Sequence, residues 1–223
     1  MSRHLQRDLD RLKKELVALS VLVEEAIQLA IQALTARSES MAAEVIRGDR
    51  RIDEREVEIE EHCLKVLALN QPVADDLRFI VVVLKVNNDL ERMADHAVNI
   101  AKRAKYISRQ APDNFALDFD PMVKRVGRMV RESLDALVNS DEKLAREICA
   151  EDSIVDEMNR TMIKTLKEHM QRDTGCISAA VDMMSASKNL ERVADLATNI
   201  AEDVIFLTTG EVSRHGKQSA AQN

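Results

Sequence analysis

Twelve residues, Leu90 to Ala101 (LERMADHAVNIA), return one hundred positions later as Leu190 to Ala201 (LERVADLATNIA), with nine of the twelve identical. A segment that recurs at a fixed offset marks a tandem duplication, so one half of the chain must fold as the other does. Both copies keep a polar line, Glu91, Asp95 and Asn99, then Glu191, Asp195 and Asn199, spaced i, i+4, i+8. In a helix this spacing drifts by only about 40° per step, which stacks the three side chains on one face. At about 100° per residue, Leu77, Ile80, Val81 and Leu84 lie on the same line, and Ile177, Val181 and Met184 repeat the pattern. The apolar stripe predicts that the acids face the core. There they must open onto a groove, be neutralised by Lys or Arg, or hold a metal, because an unpaired buried charge is too costly.

The rest of the chain predicts an all-α fold. Only 5 Gly and 3 Pro interrupt 223 residues, aromatics are 2%, and 45% hydrophobic with 32% charged residues is a globular balance. Apolar residues at three- and four-residue steps predict helices over 4–36, 38–70 and 74–109, the second capped by Ser38 and ended by Asn70-Gln71-Pro72. The pattern restarts over 121–138, 142–171 and 176–207, with breaks at Asn139-Ser140-Asp141 and Asp173-Thr174-Gly175. Six long helices in two tandem, sequence-related three-helix bundles follow: 1–110 is the first repeat, 111–120 a linker, 121–209 the second repeat and 210–223 a flexible tail.

Composition narrows the partners. A net charge of −7, without a basic stripe interleaved with aromatics, argues against nucleic acid. The longest apolar runs, Val17 to Val23 and Ile80 to Leu84, are short of a membrane span, so no direct membrane insertion is expected. Three cysteines, Cys63, Cys149 and Cys176, without CxxC spacing read as buried thiols in a reducing cytoplasm.

Helices 2 and 5 carry their own repeated acids, at an offset of 103: Asp49 and Asp53 correspond to Asp152 and Asp156. Folding helix 2 against helix 3 about the turn near Gln71 brings Asp53 level with Arg92 and Asp49 level with His96. In the second repeat Asp156 falls beside Glu191 and Asp152 beside Asp195. Across helix axes about 8–10 Å apart, opposing carboxylates can share a cation. Four acids per repeat, two from each helix, make an all-oxygen site suited to Mg²⁺, Mn²⁺, Ca²⁺ or Fe³⁺. A di-iron oxidase centre is not supported, since Glu91 and Glu191 are followed at i+3 by Ala94 and Ala194 rather than His. His96, which faces Leu196 in the alignment, is expected to be a neutral surface residue, and Glu54 and Glu157 to face water. A plain alternative is that Arg92 and Arg192 lock the acids into ion-pair networks that only hold the helices in register.

These residues resemble the PhoU family of regulators of bacterial phosphate uptake, over nearly the whole chain. The resemblance rests on Gln71-Pro72-Val73-Ala74-Asp75-Asp76-Leu77-Arg78, on the Leu-Glu-Arg-x-x-Asp motifs at Glu91 to Asp95 and Glu191 to Asp195, and on Gly48-Asp49 and Glu151-Asp152 with their second acids. It implies two tandem three-helix bundles and metal ions, Fe, Zn, Mn or Mg, at Asp49, Asp53, Glu91 and Asp95 and at Asp152, Asp156, Glu191 and Asp195. It further implies a cytoplasmic, homodimeric, non-enzymatic negative regulator of phosphate uptake and phosphate-starvation signalling, which contacts the ATPase of a Pst-type phosphate transporter and a PhoR-type sensor histidine kinase. Ala94 and Ala194 stand where the family often has Gly. The competing function is an all-helical, metal-dependent nucleotide phosphohydrolase, for which Glu58 and Glu61 supply a Glu-x-x-Glu. No Glu-x-x-Asp stands at a matching level, and neither a general base nor a Gly-rich phosphate loop accompanies the acids.

Overall fold

The computed structural model describes residues 3–109 and 117–210. Among these the chain forms α1 (Arg3–Thr35), α2 (Glu39–Asn70), α3 (Ala74–Ile107), α4 (Asp120–Asn139), α5 (Glu142–Arg172) and α6 (Ile177–Thr209), with a single 3₁₀ turn at Thr174–Cys176 before the last. The predicted linker falls largely on 110–116 and the predicted tail on 211–223, both outside the described residues.

The boundaries have local causes. Ser38 Oγ accepts a hydrogen bond from the Met41 N–H at 3.3 Å, and Asp141, its counterpart in the second repeat, accepts one from the Leu144 N–H at 3.0 Å. Each thus caps the first turn of the middle helix of its repeat. α2 stops where Gln71 turns left-handed at φ 45° and Pro72 supplies no N–H; α4 stops at Ser140, φ 53°. Gly210 closes α6 at φ 75°, a conformation that costs glycine little.

Each repeat is a three-helix bundle, and the two are not separate bodies. α3 packs against α6 and α1 against α4, and buried residues from all six helices form one continuous core. Three pairs show how α3 and α6 run. Lys85 meets Asp203 at 2.5 Å, His96 Nδ1 meets Asn189 Oδ1 at 2.9 Å, and Arg103 meets Asp182 at 3.5 Å, so numbers rise along α3 as they fall along α6. The helices are antiparallel. His96 is therefore a half-buried bridge between the repeats rather than the expected surface residue.

Two further expectations are corrected. The apolar periodicity of α2 takes in Val57 and Leu64, yet they are 49% and 54% exposed, and Val66 is buried. The helical step from Ile59 and Cys63 lands on Val66, whereas Leu64 is turned about 100° away. By length and composition α1 is apolar enough to cross a membrane, contrary to the sequence reading. Its Leu5, Leu12, Leu16, Leu19, Val23 and Leu34 are buried in the bundle, while half-exposed Val17 and Val21 raise the mean hydropathy from the other face.

Candidate metal centre

In the second repeat, α5 and α6 bring Asp156, Glu191 and Asp195 together, one carboxylate oxygen of each lying within 4.8 Å of the others. Asp152 joins from one turn earlier on α5. Burial, then the neighbouring Asp195 and Asp156 charges, push its carboxyl above the usual range, while a 3.3 Å hydrogen bond donated by Thr198 Oγ1 opposes the shift. Two cations trim the charge. Lys188 Nζ donates to Glu191 Oε1, and Arg192 lies 3.0 Å from Asp195 Oδ2. Glu191 is only 8% exposed, and its Oε2 is buried without a hydrogen-bond partner. A charged oxygen in that state is expensive.

The first repeat assembles the same four positions from α2 and α3. Burial raises the Asp49 carboxyl, with the Asp53 and Asp95 charges adding to it and Lys102 opposing. Glu91 is raised by burial first and then by Asp95, Asp53, Glu56 and Asp49, so its carboxyl lies in a field of four others. Asp53 and Asp95 are exposed, Asp49 and Glu91 half-buried. Asp95 thus lies near Asp49 and Asp53 near Glu91, each one residue from the levels of His96 and Arg92 that the residue count gives. Asn99 and Asn199, the last members of the polar lines, are exposed, as are Glu54 and Glu157.

The reason for the pairing differs from the expectation. Leu77 and Val81 are each 41% exposed and Ile177 and Val181 are 44% and 52% exposed, while only Ile80 of the α3 stripe is fully buried. Each acidic line thus runs along the rim of the core, beside a groove between neighbouring helices, and not through the core itself. Nor do the two motif arginines act alike. Arg192 contacts Asp195, whereas Arg92 turns away from Asp95 to Asp89 at 3.4 Å. Both contacts run within a single helix at i, i+3, so neither arginine ties one helix to the next as the plain alternative requires.

The donor set suits a hard cation. The second cluster offers carboxylate oxygens and the Thr198 hydroxyl, its acids outnumber the cations beside them, and the orphaned Glu191 Oε2 is an oxygen that a metal ion would satisfy. The sequence reading missed Lys188, Thr198 and Glu56. Lys188 and Thr198 have no counterpart in the first repeat, where Asn88 and Val98 stand, but Glu56 sits at i+3 from Asp53 and was legible as part of the same face.

Comparison with known proteins agrees with this architecture. The PhoU domain matches twice, over residues 16–104 and 119–204. A phosphate-specific transport system accessory protein PhoU homolog from Zymomonas mobilis is 36% identical over 204 residues, covering 92% of this chain and 86% of the relative. A protein of the same description from Aquifex aeolicus is also 36% identical, over 95% of this chain and 96% of its own length. The crystal structure of PhoU from Pseudomonas aeruginosa superposes with a TM-score of 0.86 at 33% identity, covering 92% of this chain and 99% of that one. The phosphate transport system regulatory protein PhoU from Streptococcus pneumoniae superposes at 0.85 with 29% identity, over 95% and 100% of the two chains. These names describe accessory and regulatory proteins, not enzymes, and set aside the nucleotide phosphohydrolase. With a duplicated domain, six helices in matching order and a third of its residues shared along nearly its full length, this chain belongs to the PhoU family.

Proposed function

We propose that the protein is a negative regulator of phosphate uptake and of phosphate-starvation signalling, a metal-binding adaptor between a Pst-type transporter ATPase and a PhoR-type sensor kinase. The observation that carries the metal part is the convergence of Asp156, Glu191 and Asp195 in the second repeat, with Glu191 Oε2 buried and unsatisfied. Asp49, Asp53, Glu91 and Asp95 would hold one centre, and Asp152, Asp156, Glu191 and Asp195 the other. Bound ions would supply positive charge that ties α2 to α3 and α5 to α6. The protein's own residues set the shape of each groove and hold the acids at their spacing.

Membership of the PhoU family supports the adaptor role, and the surface offers places for partners. Leu69 and Val73 at the α2–α3 turn are 72% and 74% exposed and continue into Leu77 and Val81 on α3. Apolar side chains grouped in this way favour protein contacts, with the ATPase, the kinase or a second copy in a homodimer. The reading places the protein in the cytoplasm, where both partners present their soluble faces.

A strain lacking its own member of the family tests this. Expressed there in phosphate-rich medium, the chain should return alkaline phosphatase to its repressed level and co-purify with the transporter ATPase. Failure of both with well-folded protein would refute the adaptor role. Metal analysis of the purified chain and of Glu191→Gln tests the metal part separately.

A further inference from the structure

The first helix of each repeat differs in length: α1 has 33 residues and α4 has 20. Ser38 and Asp141 cap equivalent helices, and counting back from them sets Asp120, where α4 begins, against Val17. Arg3 to Leu16 therefore have no counterpart among the described residues of the second repeat. These turns lie along the last turns of α2, and the two helices enclose a cleft of about 760 Å³, a volume typical of small-molecule sites. It shares no residue with either acidic cluster.

A fixed floor and unsatisfied walls give the cleft its chemistry. Glu15 uses both carboxylate oxygens, Oε1 accepting from Arg11 Nε at 2.8 Å and Oε2 from His62 Nδ1 at 2.7 Å. The His62 side chain is only 13% exposed, so this contact locks α1 to α2 at one level. The helices of a hairpin run antiparallel, so Arg11 falls level with Val66, and Asp8 with Leu69. Arg55, further along, is matched by Glu58 at 2.7 Å. Arg7 and Lys65, on opposite walls, contact no partner among the described residues, and neither do Asp8 and Glu61. Three cations, Arg7, Arg11 and Lys65, thus surround one opening beside two free carboxylates and the apolar Val66 and Leu69.

A single carboxylate on a ligand would leave much of that positive charge unmatched, whereas a phosphate monoester brings about two charges and three strong acceptor oxygens. Guanidinium forks and an ammonium suit those oxygens, and the free acids suit hydroxyl donors. We infer that this cleft binds a small phosphate monoester of sugar or nucleoside size. Arg7, Arg11 and Lys65 take the phosphate, Asp8 and Glu61 accept from its hydroxyls, and Val66 and Leu69 pack against its carbon skeleton. His62, held by Glu15, keeps the walls at their spacing. A ligand there ties the extension of α1 to α2, a response that the second repeat, with its shorter first helix, lacks.

Isothermal titration calorimetry of the full chain tests this with adenosine 5′-monophosphate, ribose 5-phosphate, adenosine and inorganic phosphate, in buffer with a chelator so that divalent cations contribute nothing. At least one of the two esters should bind one per chain, roughly 10-fold or more tightly than adenosine or inorganic phosphate. Either ester as the tighter ligand supports the inference and fixes the skeleton. Arg7→Gln and Lys65→Gln break no contact within the protein, so both should stay folded by circular dichroism, and each should weaken ester binding by roughly 10-fold. Lys143→Gln, an exposed cation on α5, should bind as the wild type does. No binding of either ester to the folded wild-type chain would overturn the inference, as would equal affinity in all three variants. Adenosine or inorganic phosphate bound as tightly as the esters would overturn it too, since half of the ligand would then go unread.

Discussion

The two repeats hold four acids at equivalent helix positions, but only the second draws three of them within 4.8 Å, and their surroundings differ. In the second, Lys188 contacts Glu191, Arg192 contacts Asp195 and Thr198 contacts Asp152. In the first, Asn88 and Val98 stand at two of those positions and Arg92 serves Asp89 instead. One cluster is partly neutralised by Lys188 and Arg192, and in the other Lys102 acts on Asp49. Duplication therefore fixes where the carboxylates go, and the flanking residues decide how much of their charge remains for a ligand. Asp89 shows the same divergence. Its counterpart Asn189 accepts a hydrogen bond through Oδ1 from His96 Nδ1 across the α3–α6 seam, whereas Asp89 is a buried acid paired with Arg92.

The largest effect tests whether the repeats, so different at their clusters, share a core. Leu90 and Leu190 are fully buried at equivalent positions. Leu90→Ala and Leu190→Ala should each cost about 2–5 kcal/mol, and calorimetry should still record a single transition. Two transitions, with only one moved by each variant, would show that the halves unfold independently.

Next is the buried acid. Burial pushes Asp89 up to about 6, with Asp203 adding to the shift and Arg92 and Lys85 opposing it. The folded state therefore holds this proton more tightly than the unfolded chain, whose value is near 3.8. Stability from this group is present below about pH 4 and lost as pH rises through 6. Asp89→Asn, which copies the second repeat, should raise stability at pH 8 by about 1–3 kcal/mol and flatten the pH dependence between 4 and 6. A fall in stability at pH 8 would mean that the Arg92 and Lys85 contacts outweigh burial.

Making the clusters alike sharpens the contrast further. Lys188→Asn gives the second cluster the residue of the first and strips Glu191 of its donor. Without added metal it should cost about 1–3 kcal/mol, and Mn²⁺ should recover more stability in the variant than in wild type. Equal recovery in both would indicate that Lys188 does not compete with the ion.

The smallest effect concerns the thiols. Cys63 is pushed up to about 12 by burial, then by Glu15 and Glu60, and Cys149 to about 11 by burial, then by Glu202 and Asp152. At pH 8 both should resist iodoacetamide in the native protein and react only on unfolding. Cys149→Ile, copying Ile46 of the first repeat, should change stability by less than about 1.5 kcal/mol. Rapid alkylation of Cys149 would show that the second repeat opens more readily than the first.

Helix positions were legible because aliphatic periodicity and few breakers leave little choice. Ser38, Gln71-Pro72 and Asp141 mark their boundaries in the sequence as they do in the fold. The acid pairs were legible too, since folding a hairpin about a known turn fixes which residues come level. Two inferences failed for a common reason. Leu77 and Val81 looked like core residues, and His96 like a surface residue, because a periodic pattern gives the face of a helix but not what covers that face. The antiparallel seat of α6 on α3 covers His96, while Leu77 and Val81 stay 41% exposed.

The sequence by itself determined that this chain is two copies of one helical hairpin-and-helix unit and that each copy sets four acids opposite one another, because repeat offsets and helical spacing are properties of the chain alone. Only the tertiary structure decided that the copies fuse into one core, that the acids line its rim, and that Glu56 joins one cluster while Lys188 quiets the other. Those outcomes depend on which side chains from distant segments meet, and such meetings are set by packing between helices that spacing along any single helix does not encode.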